Sequence, residues 1–469
     1  MKKCSKKAGR ASGRGTESQF ETIHPDAAGI DVGGSEMWVC VPEGRAESCV
    51  RQFGTDTVEL EAIATWLKQC GVTTVAMEST GVYWIPLFQI LENHDLGVCL
   101  VNARHVKNVP GRQKTDRLDC RWLQKLHACG LLSASFRPPA EVCRLRSYVR
   151  HRDNLVRAMG KQAQYMHKAM REMNVLLDQA VSDVTGQTGM RIMDAIIAGE
   201  RDPAKLAGLA SPRVKKSAEQ IARALQGDYR PEHLFVLKHA LQTYRFLHDR
   251  LLECDRETEQ YLAELEKAEG RKDVPLPEKG LTGREKRRGN APDYDVQAYL
   301  FRLLGIDLTR IPSIGAATAQ ALVSETGIDM DRWPTDKHFV SWLNLCPLLK
   351  ISGGKVIGYT RRPGQNRAGQ LFRQAASTLK NSSSWLGVFF RRMKARLGGN
   401  SGTKAAAHKL ALIYYRMMKT RTEYRELGSG EYEARFLQRQ VRNLRRRAQQ
   451  LGLELVPQSA VQAESPISE

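Results

Sequence analysis

Four carboxylates stand where phosphodiester chemistry would need them: Asp31 in AGIDVGG, Glu78 in VAMEST, and Asp116 with Asp119 in KTDRLDC. The first two each end a short apolar run that reads as a strand. The last two stand three apart at the start of a helical stretch, so both project from one face of it. Acids gathered from two strand ends and one helix supply the hard oxygen ligands that magnesium takes. Two such ions can clamp both the attacking and the leaving oxygen of a phosphodiester. Taken singly, each acid has a plainer explanation. An aspartate at a strand end often serves as a turn or cap residue, and Asp116 with Asp119 would complement the dipole at a helix N-terminus. Glu78 is harder to explain that way, because it closes the apolar run TTVAM and a buried carboxylate is costly unless paired or metal-bound. Together, in strand, strand and helix order, the four favour a divalent-metal site.

A second constellation surrounds Ser352 in KISGGKVIGYTRRPGQNR. The serine precedes two glycines and sits among Lys350, Lys355, Arg361, Arg362 and Arg367. An unhindered hydroxyl in a positive field suits docking of a scissile phosphate and stabilises charge in a phosphoryl-transfer transition state. An ordinary Ser-Gly-Gly turn with basic neighbours on phosphates accounts for the same residues. From the residues alone that plainer account is preferred.

The elements that would position these groups follow from the hydrophobic pattern. Residues 25–139 read as an α/β domain, with strands at AGIDVGG, MWVCV, TTVAMES and GVCLVNA and helices between them, so some parallel pairing is expected. The paired prolines of FRPP close it. From 140 to 265 two long helices are predicted. The seam Val142, Leu145, Val149, Val156, Met159, Ala163, Met166, Met170, Met173, Leu177 is broken only by Arg152. The second runs through Leu234, Leu237, Leu241, Tyr244, Leu251, Thr258, Leu262 and Leu265, with His248 and Asp255 as polar members. A 3.5-residue period held this long predicts a coiled coil, within the chain or between protomers. Residues 183–232 read as a small helical insertion, and 266–296 as a charged linker. A mainly helical domain over 297–424 begins near a Pro-x-x-Gly turn, IPSIG, of helix-hairpin-helix type, which can offer backbone N–H groups to a phosphate. Its Ser352 segment reads as a Gly-rich loop. Residues 425–469 read as a basic amphipathic helix and a disordered tail, and 1–24 as a disordered basic tail.

Composition narrows the partner. A chain of 469 residues exceeds one hydrophobic core, so two or three domains are expected. The net charge of +21 at pH 7 points to a polyanion, most simply DNA or RNA. The ten cysteines form no C-x-x-C pair and no zinc-type cluster, which fits a reducing cytosol. Neither a signal peptide nor a run of about 20 apolar residues is present, so no membrane is expected as a partner. The expected location is the cytoplasm, in association with the nucleoid.

The blocks AGIDVG, MESTGVYW and VNARHVKNVPGRQKTDRLDCRWL, followed by RIPSIGAATAQALVSETG and FVSWLNLCPLLKISGGKVIGYTRRPGQNRAGQLFRQAA, resemble the DEDD transposases of insertion sequences. The class is IS110, to which Piv-type DNA invertases also belong. The resemblance covers about residues 25–140 and 305–420. It implies an RNase H-like, RuvC-like N-terminal domain whose Asp31, Glu78, Asp116 and Asp119 bind Mg2+, with Mn2+ as a substitute. It implies that Ser352 attacks DNA and forms a phosphoserine link, which reverses the preference for a plain turn. It further implies a structured guide or bridge RNA as partner, dimerisation through the coiled-coil region, and a working dimer or tetramer. This chain is longer than the class leads one to expect, in 183–232, 266–293 and beyond 425. The alternatives are a metal-dependent RuvC-like nuclease or junction resolvase without a covalent intermediate, and a domesticated protein that only binds nucleic acid.

Overall fold

The computed structural model describes residues 21–102, 115–268, 290–360 and 366–455. The chain forms two compact units that divide between Arg137 and Pro138.

The first unit is built on five strands, β1 (Ala27–Val32), β2 (Met37–Cys40), β3 (Val50–Phe53), β4 (Thr74–Glu78) and β5 (Gly97–Val101), in the order β3-β2-β1-β4-β5. The first three pair antiparallel, while β4 and β5 run parallel to β1. This mixed sheet is consistent with the RNase H-like expectation. Side chains alternate across it. Ala28, Ile30, Val32, Val75 and Met77 face α1 (Thr57–Gln69) and α2 (Trp84–Asn93), packing with Ile63, Leu67, Leu87 and Leu91 into the larger apolar core. The opposite face, which carries Ala27, Gly29 and Asp31 of β1 and Thr74, Ala76 and Glu78 of β4, meets α3 (Asp116–Ala128).

The second unit is mainly helical. Its frame is a pair of long helices, α4 (Ala140–Glu172) and α9 (Pro231–Ala268). They run antiparallel: the Tyr261 hydroxyl donates to the Glu141 carbonyl at one end, and His233 meets Glu172 at the other. The predicted apolar seam is therefore filled by the chain's own second helix. The first helix ends earlier than the pattern predicted, at Glu172, where Asn174 takes a positive φ of 55° and turns the chain. Met173 and Leu177 instead pack with the short helices α5 (Leu177–Ala180), α6 (Gln187–Ile197), α7 (Pro203–Gly208) and α8 (Ala218–Ala224). The two polar breaks in the seams turn out to be partners. Arg152 is buried and donates through Nε and Nη2 to the Asp255 carboxylate at 2.6 and 3.2 Å.

Beyond this frame lie α10 (Val296–Leu304), α11 (Ala316–Thr326), α12 (Asp336–Trp342), a hairpin of β6 (Leu348–Ser352) and β7 (Lys355–Thr360), then α13 (Arg367–Thr378), α14 (Trp385–Leu397), α15 (Gly399–Thr420) and α16 (Ser429–Gln450). Phe339 centres their aromatic core, with Trp333, Phe372, Tyr414 and Tyr415 around it. The IPSIG turn leads into α11, with Gly315 at its N-cap and Ser313 at a φ of 72°. Most of the predicted linker lies outside the described residues, as do most of both predicted tails. No described helix is long and apolar enough to cross a membrane.

Removing one partner of a buried ion pair strands a charge. Asp255→Ala is expected to cost about 3–5 kcal/mol in urea unfolding, while Arg152→Met combined with Asp255→Leu recovers most of it.

Candidate active site

The acidic site is set by how closely α3 lies on β1. A Cβ on Gly29 would come within 2.3 Å of the Gln124 nitrogen and 2.4 Å of the Cys120 carbonyl oxygen, so only glycine admits the helix at this distance. The helix runs antiparallel to β1. Gln124 donates to the Ala27 carbonyl, and further along His127 meets the Thr74 hydroxyl at 2.9 Å. The first turn of α3 is therefore carried toward the C-terminal ends of β1 and β4. His127 is buried beside His24, and burial foremost pushes its pKa down to about 4, so the neutral imidazole serves as a packing and hydrogen-bonding group.

Asp31 and Glu78 lie at that same end. They follow the paired residues Ile30 and Met77 by one position on neighbouring parallel strands, about 4.8 Å apart, and alternation turns both toward α3. Glu78 is only 8% exposed and Asp31 is half-buried. Thr115 caps α3 by accepting from the Leu118 N–H, which fixes where the helix begins. Asp116 stands one turn before the fully buried Cys120 and Asp119 one turn before Leu123, so both acids extend the stripe that faces the sheet.

Asp31 and Glu78 thus end adjacent strands, and Asp116 and Asp119 lie in the first turn of the helix packed on them. Among the described residues no three His, Cys, Asp or Glu side chains lie close enough together to hold a metal ion. The donor set nonetheless fits a hard divalent cation: all four are carboxylates, one of them almost fully buried at a strand end.

Ser352 belongs to the second unit. The predicted Gly-rich loop is a two-stranded hairpin whose turn is Gly353-Gly354, with φ of 53° and 74°. Both values are positive, as a tight hairpin turn demands, and glycine supplies them without strain. Ser352 is the last residue of β6, exposed, and pairs directly with Lys355, so the hydroxyl and the ammonium share one face. A register shift between Lys350 and Ile351 displaces Lys350 from that alignment. Leu349, Ile351, Val356, Ile357 and Tyr359 are all more than half exposed. Arg361 and Arg362 lie outside the described residues. Arg367, the first residue of α13, is held by Asp153 at 2.7 Å and Glu325 at 3.2 Å. Glu325 also accepts both arms of Arg150 at 2.8 Å and lies 3.5 Å from Arg146, which ties α4, α11 and α13 together.

The sequence reading passed over Gly29, whose signal was a glycine two residues before an acid in a buried strand. It also passed over the direct Ser352–Lys355 pairing, legible as S-G-G-K between two β-rich runs.

Residues 28–175 match the DEDD transposase model of IS110 type, and residues 307–391 match the transposase IS116/IS110/IS902 family. The first segment holds all four acids and the second holds Ser352. Comparison with curated proteins gives no match.

Adding a methyl group at Gly29 must push α3 off the sheet. Gly29→Ala is expected to destabilise the first unit by about 2–3 kcal/mol. It should also abolish metal-dependent DNA cleavage at temperatures where circular dichroism shows the protein folded. Wild-type cleavage in that variant would show that the contact does not position the acids.

Proposed function

The chain belongs to the DEDD transposases of the IS110 class, and from that premise we propose that it excises and integrates an insertion sequence by a covalent serine mechanism assisted by divalent metal. DNA binding and divalent-metal dependence come with the family. The finer reading assigns magnesium, replaceable by manganese, to Asp31, Glu78, Asp116 and Asp119, and the nucleophile to Ser352. The observation that supports it is that Asp31 and Glu78 lie at the C-terminal ends of two adjacent parallel strands, while Asp116 and Asp119 stand in the first turn of the helix packed on them.

When bound there, a divalent ion polarises the scissile phosphate and offsets charge that develops on it. The chain's own groups account for the remainder. Lys355, directly opposite Ser352, draws a phosphate to the hydroxyl and favours loss of its proton. The serine Oγ forms a bond to phosphorus as the bond from phosphorus to a sugar oxygen breaks. The proton lost by the serine is balanced by the one the leaving sugar oxygen takes up. The phosphoserine link keeps the energy of the phosphodiester, so attack by a new sugar hydroxyl rejoins DNA without ATP. Lys350 and Arg367 add positive charge to this segment, with Arg367 anchored on Asp153 and Glu325, and Arg361 and Arg362 are proposed from the sequence as further phosphate contacts.

The basic surface further suits a structured bridge RNA whose base pairing chooses the DNA. The uncovered apolar residues of the hairpin support a dimer or tetramer in which the acids of one protomer serve Ser352 of another. Such an enzyme acts on DNA at the nucleoid.

The test is a denaturing gel of full-length protein incubated with Mg2+, labelled element-end DNA and co-expressed flanking RNA. Wild type should give a protein–DNA adduct that Ser352→Ala and Asp116→Ala both lose. Cleavage that produces no adduct and survives Ser352→Ala would replace this mechanism with that of a metal-dependent nuclease.

A further inference from the structure

The helix α16 lies outside both family-matched segments and has no role in the site above. Its start is anchored: Tyr432 packs on Trp385 at 5.3 Å between ring centroids, and the Arg392 guanidinium lies 3.6 Å from the centre of the Phe436 ring. From Leu437 to Arg447 every residue is exposed. Along this stretch the sequence draws two stripes. Arg435, Arg439, Arg442 and Arg446 follow steps of four, three and four residues and therefore share one face. Leu437, Val441 and Leu444 follow the same steps on the opposite face. Arg445 and Arg447 flank the arginine stripe.

The charge on this face is hardly neutralised. The helix contains two acids, Glu431 and Glu433, both in its first turns, and among the described residues Arg435 pairs with Glu431 at 2.5 Å. Four guanidinium groups thus span 12 residues of helix, about 16 Å at 1.5 Å rise per step. That length covers roughly five phosphates of one strand at 3.4 Å of rise each. Guanidinium groups bind phosphate oxygens through paired N–H donors, and a row of them at helical spacing follows a backbone without reading bases.

We propose that α16 is a second nucleic-acid contact of this transposase, laying its arginine stripe along a phosphodiester backbone. The proposal rests on nucleic acid being the substrate, which the family supplies, and not on the serine mechanism. The occupant is duplex DNA, the partner that the transposase family implies. A membrane surface would need the apolar face to carry the binding, whereas here the denser row is the charged one.

The test measures salt dependence of binding, with no cleavage involved. Full-length wild type and an Arg435→Gln, Arg439→Gln, Arg442→Gln, Arg446→Gln variant are titrated by fluorescence anisotropy onto a 30-base-pair DNA and, separately, onto a structured RNA. Glutamine preserves helix propensity. Four lost phosphate contacts should reduce the slope of log K against log salt by about 3–4 on DNA, or by about 3 if the strand bound is single. The double variant Arg439→Gln, Arg442→Gln should give about half that change, which guards against misfolding of the quadruple variant. A change on the structured RNA alone, with the DNA slope unaltered, would overturn the assignment to DNA. Unchanged slopes on both would overturn the proposal, as would variants that lose binding only to anionic phosphatidylserine vesicles. Leu437→Gln with Leu444→Gln should leave the slope unaltered; an equal fall there would assign the effect to the apolar face and overturn it as well.

Discussion

The close approach of α3 to β1 at Gly29 governs how helix and sheet meet in the first unit. A carboxylate at a strand end and another at a helix start cooperate only if helix and strand are held in register, and backbone-to-backbone contact is the tightest means a fold has of doing so. The Thr115 cap fixes where α3 begins, Gly29 fixes how near it lies, and His127 on Thr74 fixes its far end. Parallel pairing of β1 with β4 then places Asp31 beside Glu78 without any further device.

The second unit solves a different problem. Its frame is stiffened where polar groups are buried, by Arg152 on Asp255 and by three arginines around Glu325. Buried pairs of this kind add little net stability but penalise misaligned packing, which makes them suited to fixing the register of two long helices. From that frame the hairpin presents Ser352 on exposed strands that also carry exposed apolar side chains.

Much of this was legible in the sequence, and the reasons differ by element. Short apolar runs revealed the strands that carry Asp31 and Glu78, and the spacing of Asp116 and Asp119 revealed their common helix face. The long seams revealed α4 and α9 but left their partners open, because a 3.5-residue period is blind to whether the matching stripe is in the same chain. Arg152 and Asp255 read as separate defects and were in fact complementary. The Ser352 segment read as a loop because its glycines and lysines obscured two short strands, although Gly-Gly flanked by β-branched residues is a hairpin signal. Family resemblance, not spacing, gave Ser352 its role, since a serine before two glycines is an ordinary turn in most proteins.

The central claim is that the four acids form one divalent-cation site, and metal binding tests it more directly than turnover. Mn2+ would be titrated into the full-length protein, with free ion followed by electron paramagnetic resonance, for wild type, Glu78→Gln and Asp119→Asn. One site should be shared by a buried strand-end carboxylate and a helix-start carboxylate. Each substitution should then weaken the same binding event by about tenfold or more, with the fold retained. Binding equal to wild type in both variants would contradict the account and separate the acids from the metal.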